Sequence, residues 1–305
     1  MRYTVVLTAK FPEIATSLLS PQFDVIAHPT EHDRTEEDMI TMLAEADGAI
    51  VLLSDPITRR VLEANPNLRI VSNLAVGYNN IDLEAARELG ITVTNTPGVL
   101  TEATADLTMA LILAVARRIA EGDAFLRAGN RCEWDPLGFL GTSLQGKRLG
   151  IIGMGRIGTA VATRARAFGM DVIGVRSGER IEELLSTSDI VSLHLPLSKE
   201  TFHIIDATAL AKMKPGAYLI NTSRGPLVDE EALCDALERG HLRGAGLDVY
   251  EHEPEVHPRL LPLRNVVLLP HIGSATEEAR YAMARIAATN VLLFLNGAEP
   301  LHRVV

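Results

Sequence analysis

Leu149-Gly150-Ile151-Ile152-Gly153-Met154-Gly155-Arg156-Ile157-Gly158 is the stretch on which the reading of the fold turns. An apolar run ends in a G-x-G-x-x-G, and the residues beyond it continue with helical character. Such a glycine pattern says little alone. It gains meaning from a strand directly before it and a helix directly after it. Gly153 then permits the tight turn, Gly155 lets the backbone approach a pyrophosphate, and Gly158 lets the helix pack on the strand. Free N–H groups and the dipole at the helix start favour the phosphates. Met154, Arg156 and Ile157 lie in the same turn and join the three glycines as candidate cofactor-binding residues.

Outward from this turn, strand and helix alternate in both directions. Downstream the strand candidates are Asp171–Val175, Ile190–Leu195, Ala217–Asn221, Gly244–Asp248 and Val266–Leu269, with helices from Arg156 and over Asp229–Arg239. Upstream they are Thr4–Ala9, Asp24–His28, Ala49–Leu53, Arg69–Leu74 and Ile91–Asn95. Helical patterns lie between them at Thr35–Ala46 and Leu83–Leu89, the latter closed by Gly90. This alternation predicts parallel sheets covered on both faces. Ser274-Ala275-Thr276-Glu277 has the spacing of a capping box and predicts a final helix to about Leu295. The class is α/β, with two doubly wound domains and the last helix returning to the first.

Between the two runs, Glu102–Ala120 is apolar on nearly every side and predicts a helix buried all round, between domains or between subunits. Gly122–Gly146 has little periodicity, carries Trp134, and reads as an extended arm.

Composition narrows the partners. The chain has 305 residues, 47% hydrophobic and 22% charged, which suits two globular domains. A formal net charge of −10 argues against nucleic acid, whose phosphates need an excess of Lys and Arg. Cys132 and Cys234 are too few for a disulfide framework or a four-thiolate zinc site, and no metal is expected. No stretch of about 18 apolar residues suggests a membrane span. The first residues read as a buried strand rather than a signal sequence, so a cytoplasmic protein is expected.

About twenty residues beyond the glycines, an enzyme using NAD usually places an acid for the ribose hydroxyl. Here the strand ends Gly174-Val175-Arg176-Ser177, without a carboxylate. Arg176 and Ser177 suit a 2′-phosphate instead, so NADP is preferred, with NAD possible. Only Arg176–Asp189 then leads to the next strand.

Three further motifs stand at strand ends: Asn221-Thr222-Ser223-Arg224-Gly225, Gly246-Leu247-Asp248-Val249-Tyr250-Glu251-His252-Glu253-Pro254 and Leu269-Pro270-His271-Ile272-Gly273-Ser274-Ala275-Thr276. With Gly153–Gly158 they occur in an order and spacing that resembles the D-isomer-specific 2-hydroxyacid dehydrogenase family over essentially the whole chain. Within it the chain is most similar to glyoxylate/hydroxypyruvate reductases, through Leu52-Leu53-Ser54-Asp55, Ala75-Val76-Gly77-Tyr78, Trp134-Asp135-Pro136-Leu137 and the His271 motif. The Arg176–Asp189 segment departs from that pattern by being shorter than is common.

The resemblance implies a Rossmann dinucleotide-binding domain over 99–275, with a dimerisation helix and arm at 102–146, inserted in a flavodoxin-like substrate domain of 1–98 and 276–305. It implies reduction of a small 2-keto acid to the 2-hydroxy acid, and a homodimer. Arg224 would bind the substrate carboxylate and carbonyl through its two-pronged guanidinium. His271 would be the proton donor. Glu253 would hydrogen-bond His271 and orient its ring. Val76 and Gly77 would offer backbone N–H groups to the carboxylate, with Leu53, Ser54 and Trp134 bordering the substrate and Trp134 reaching the neighbouring subunit. Thr101, Val76, His194, Pro196, Thr201, Thr222, Ser223, Asp248, His271, Gly273 and Ser274 would line the cofactor, Asp248 accepting from the carboxamide. Two other readings keep the same fold. One is a cofactor-sensing corepressor or scaffold, which would not need Arg224, Glu253 and His271. The other is a related dehydrogenase for formate, phosphite or phosphoglycerate.

Overall fold

The computed structural model describes residues 2–30 and 34–305. The chain divides into two compact units, Met1–Leu100 with Ala275–Val305, and Thr101–Ser274.

In the first unit the elements run β1 (Thr4–Leu7), α1 (Glu13–Leu19), β2 (Asp24–Ala27), α2 (Glu36–Leu43), β3 (Gly48–Val51), α3 (Arg59–Glu63), β4 (Ile70–Asn73), α4 (Leu83–Glu88) and β5 (Thr92–Thr94). Among the described residues they form one five-stranded sheet in the order β2-β1-β3-β4-β5, every pairing parallel. That is the flavodoxin-like winding. β3 and β4 are buried at every position, as strands covered on both faces must be. Polar caps start the helices: Thr35 and Asp38 form a reciprocal capping box on α2, and Asp82 accepts from the Ala85 N–H on α4. The helix Glu277–Leu295 completes this unit. A Cβ added to Gly48 would sit 3.3 Å from Val291 and 3.1 Å from Ile70, so a larger residue there would press on both side chains and glycine eases the close approach of that helix to the sheet. Its cap is Thr276, not the Ser274 of the expected box. Thr276 is the last extended residue, and its hydroxyl accepts from the Ala279 N–H.

The second unit contains α5 (Thr101–Ala116), α6 (Ile119–Arg127), β6 (Arg148–Ile152), α7 (Arg156–Ala167), β7 (Asp171–Val175), α8 (Glu182–Thr187), β8 (Ile190–Leu193), α9 (Ala207–Lys212), β9 (Ala217–Asn221), α10 (Glu230–Glu238), β10 (Leu242–Leu247) and β11 (Val266–Leu268). Its six described strands are parallel in the order β11-β10-β9-β8-β6-β7. The usual Rossmann order, 3-2-1-4-5-6, carries a third strand outside the second. Here the chain leaves β7, forms only α8, and enters β8 on the far side of β6, so β7 is the edge. The short Arg176–Asp189 segment has no room for a further strand and its crossover.

Two expectations about the middle of the chain are corrected. The apolar helix stops at Ala116, because Arg118 takes a left-handed conformation (φ 55°), which ends a helix for any residue but glycine at some cost. The supposed extended arm then opens with α6, which buries no residue. Nor is α5 buried on every side. Glu102 and Asp106 are exposed and pair with Arg164 at 2.7 and 2.6 Å, while Thr104, Ala105, Thr108, Met109, Leu111 and Ile112 face the core. Among the described residues no helix is long and apolar enough to cross a membrane.

Candidate active site

The turn between β6 and α7 is built by its glycines for two different reasons. Gly153 stands at φ 107°, and a Cβ there would strike the His194 carbonyl. A Cβ on Gly158 would strike the Gly153 carbonyl. Protein packing therefore accounts for both. A Cβ on Gly155, in contrast, would meet no protein atom within 4 Å. Its bareness fits the close approach of a ligand backbone, and α7 begins there with no side chain capping its first N–H groups. The Gly153 and Met154 N–H groups donate to Val175 O, Met154 lies against Gly174, Arg156 is exposed and Ile157 partly buried. This turn fits a dinucleotide pyrophosphate.

At the end of β7, Arg176 and Ser177 are exposed as expected, but the expected lack of a carboxylate is corrected in space. The chain folds back so that Glu179 Oε2 accepts from the Arg176 N–H at 2.7 Å. An acid thus stands at the strand end although the sequence places it three residues later.

His194, after β8, is enclosed, and burial pushes its pKa down to about 4. Its Nε2 lies 2.9 Å from Ser192 Oγ, and its carbonyl abuts Gly153. The following loop carries exposed Pro196 and buried Thr201. The Thr201 hydroxyl is consumed inside the loop, donating to Pro196 O at 2.8 Å and accepting from the Ser198 N–H at 2.8 Å. Thr222 shares a hydrogen bond of 2.9 Å with Thr108, and Ser223 Oγ donates to Leu195 O. These hydroxyls brace the loops at the ends of β8 and β9. Thr101 opens α5, partly exposed.

Arg224 follows β9. Burial lowers its pKa, opposed by the nearby Glu253 carboxylate. Its guanidinium donates from Nη1 to Ser223 O at 2.7 Å, and among the described residues it forms no ion pair within 4.0 Å. A guanidinium this enclosed and so little used by the protein has donors left for an anion.

Glu253 Oε2 accepts from His271 Nδ1 at 2.8 Å, while Oε1 accepts from the Tyr250 N–H at 3.0 Å. A carboxylate can only accept here, so Nδ1 carries the hydrogen and Nε2 is the free ring nitrogen. His271 itself has φ 52°, a left-handed conformation rarely taken by histidine. Buried Asp248 at the end of β10 holds it there: Oδ1 and Oδ2 accept from the Ile272 and Gly273 N–H groups, each at 2.7 Å. Both Asp248 oxygens are thus engaged in shaping the His271–Ser274 turn, a structural use that the sequence reading did not foresee.

In the first unit the candidate N–H donors are held through their carbonyls. Asn95 Nδ2 donates to Val76 O at 2.7 Å and Asn73 Nδ2 to Gly77 O at 2.8 Å. The Val76 and Gly77 N–H groups have no acceptor among the described residues. Leu53 and Ser54 lie in a turn fixed by Asp55, which accepts from the Leu52 N–H at 2.8 Å, and by Asn80, which donates to Leu52 O at 3.0 Å. The supporting asparagines were missed because a side chain bonding to main chain leaves no periodic mark on the sequence. Trp134, in the second unit, is 88% exposed.

A family model described as "D-isomer specific 2-hydroxyacid dehydrogenase, NAD binding domain" matches residues 109–273. The chain belongs to this family. It is 47% identical to a glyoxylate reductase of Thermococcus litoralis, over 98% of this chain and 96% of that enzyme. A solved structure of a Thermus thermophilus protein superposes with a TM-score of 0.94 at 46% identity, covering 99% of this chain and all of that one. An NADPH-dependent glyoxylate/hydroxypyruvate reductase of Sinorhizobium meliloti, solved with NADP and malonate, gives a TM-score of 0.86 at 32% identity, covering 100% and 97% of the two chains. As a member of this family the chain is a nicotinamide-dinucleotide-dependent 2-hydroxyacid dehydrogenase on two parallel-sheet α/β domains.

Proposed function

We propose that this dehydrogenase works as a reductase of small 2-keto acids, glyoxylate and hydroxypyruvate first, in the cytoplasm and as a homodimer. The observation that carries the reading is the pairing of a fixed imidazole, His271 on Glu253, with a little-used enclosed guanidinium, Arg224, on neighbouring strand-end loops of one sheet. The curated relatives named glyoxylate reductase support the substrate class.

When bound, a reduced nicotinamide would supply the hydride for the carbonyl carbon. The chain's own residues do the rest. Arg224 holds the carboxylate and carbonyl oxygen in a two-pronged grip, and its charge favours the negative charge that grows on that oxygen. His271 gives the Nε2 proton to the oxygen, completing the hydroxyl. Glu253 keeps the ring in the tautomer that has Nε2 facing the reaction, and its charge stabilises the imidazolium that donates. Gly153–Gly158 would seat the dinucleotide, with Thr222 and Ser223 after β9 and Gly273 and Ser274 after β11 lining it further along the sheet. NADPH is preferred, on the strength of Arg176 and Ser177.

The test is oxidation of NADPH and NADH at 340 nm with a panel of glyoxylate, hydroxypyruvate, pyruvate and bulkier keto acids, run beside Arg224→Lys. Lysine keeps the charge but loses the planar fork, so the KM for glyoxylate should rise at least about tenfold. No turnover of any 2-keto acid by the native protein would sink the reading, and an unchanged KM in the variant would move the carboxylate away from Arg224.

A further inference from the structure

Behind the Arg224 and Glu253 loops lies a cluster of ionisable groups to which the reaction gives no part. Glu230, the first residue of α10, is almost fully buried, and burial raises its pKa. Its Oε1 accepts from the Glu251 N–H at 2.9 Å, and the Glu251 carboxylate returns the bond, Oε2 accepting from the Glu230 N–H at 3.3 Å. The other Glu251 oxygen accepts from His203 Nε2 at 2.7 Å. His203 is itself in a left-handed conformation (φ 49°) and stacks on Phe202 with ring centroids 4.0 Å apart. Such a conformation costs on the order of 1 kcal/mol or more and persists only where the surroundings hold it.

Three chain segments meet in this cluster. His203 and Ile205 N–H groups donate to Pro226 O at 2.9 Å and Leu227 O at 3.0 Å, so segment 203–205 is zipped to the turn that follows Arg224. Gly225 lies so close under the Tyr250 carbonyl that a Cβ there would collide with it. Glu251, two residues before Glu253, is pinned to both sides. The carboxylates of Glu230 and Glu251 would repel one another if both were charged and unsupported. The two N–H donors and the His203 imidazole offset that repulsion, with His252 and His257 the other groups that act on Glu230.

We propose that His203, Glu251 and Glu230 form a clasp of positioning residues that sets the Arg224 turn against the Glu253 turn, and so fixes where the substrate's carboxylate is held relative to the proton donor. None of the three touches the reacting atoms. They act through Arg224 and Glu253, so the inference rests on the function proposed above. Loosening the clasp shifts a guanidinium that must meet two oxygens at once, and small misplacements of such groups are costly.

The test compares His203→Ala with His203→Gln, which keeps a donor for Glu251. In His203→Ala the KM for glyoxylate should rise about tenfold, with kcat falling less and the dissociation constant for the reduced cofactor unchanged. His203→Gln should restore the KM to within about twofold. Amide hydrogen exchange reads the clasp without any substrate: the Leu227 and Val228 N–H groups of the turn and the Glu251 N–H should lose protection in His203→Ala and keep it in His203→Gln. Native KM and native exchange in His203→Ala would overturn the proposal, as would a loss of cofactor affinity equal to the loss of substrate affinity. Absence of glyoxylate turnover in the native enzyme, with exchange responding as stated, would leave the clasp standing and fail the substrate assignment alone.

Discussion

His271 is held in a backbone conformation that histidine seldom adopts, and its neighbours show how. The two N–H groups after it converge on Asp248, and its ring is tied to Glu253 through Nδ1. A side chain fixed at both backbone and ring presents Nε2 in one direction. His271→Asn should lower kcat by about 10²–10⁴, the usual worth of a general acid, with cofactor affinity near native. Steady-state turnover together with a fluorescence titration of the reduced cofactor would check it, and near-native turnover would end the assignment. His194, whose carbonyl abuts Gly153, is disqualified as proton donor by its environment. With a pKa near 4 it is neutral at neutral pH and has no imidazolium proton to give. That depression has a thermodynamic sign. The unfolded chain binds the His194 proton more tightly, so stability is fully present above about pH 6.5 and is lost as pH falls toward 4. The loss is at most about 3 kcal/mol. His194→Gln should therefore show a flatter fall in its urea midpoint between pH 6.5 and 4, and an unchanged slope would show that His194 titrates normally.

Among the elements, β7 and the turn after it depart from the usual Rossmann order. β7 is a sheet edge, and the turn after it carries Arg176 and Arg180 with Glu179 between them in sequence, the Glu179 carboxylate accepting from the Arg176 main-chain N–H. The cations favour a 2′-phosphate and the acid opposes it. Arg176→Asp should cost kcat/KM for NADPH about 10- to 150-fold more than for NADH, the worth of a charge-assisted contact. Glu179→Gln should move the ratio the other way. Equal losses with both cofactors would place Arg176 on the adenine instead. This turn also shows where reading a sequence stops. The Gly153–Gly158 turn was legible because strand, glycines and helix adjoin, so each local signal supports the next. The parallel, doubly wound sheets were legible for the same reason. Arg224, Glu253 and His271 could be named from their motifs, and the structure does bring Glu253 and His271 into contact. Glu179 was passed over because its carboxylate reaches back by a turn that no periodicity marks. The break at Arg118 was hidden by an apolar pattern that runs on past it. Glu230, Glu251 and His203 are joined across 21 and 48 residues of sequence, beyond any local signal.

At the scale of the molecule, the second unit leaves a run of large apolar side chains uncovered. Ile119, Leu126, Trp134, Leu137 and Leu140 are all more than half exposed, on a segment that is anchored at one end by the Thr142 N–H donating to Ala116 O at 2.7 Å. Exposed apolar side chains in such number support the homodimer proposed above. Light scattering at micromolar concentration should give twice the chain mass of 33.1 kDa, and Trp134 fluorescence should shift to the red as dilution separates the subunits. A stable monomer would refute the dimer.

The helix Glu277–Leu295 lies on the first sheet through Gly48, although the inserted unit Thr101–Ser274 separates it in sequence from the rest of that unit. On the ribosome this reverses the order of events. The inserted unit is fully exposed for folding while its host still lacks the helix that covers β3 and β4. The half-built sheet must then wait with one apolar face in water, or in the grip of a chaperone, until the final helix emerges. The unit that is started first is finished last.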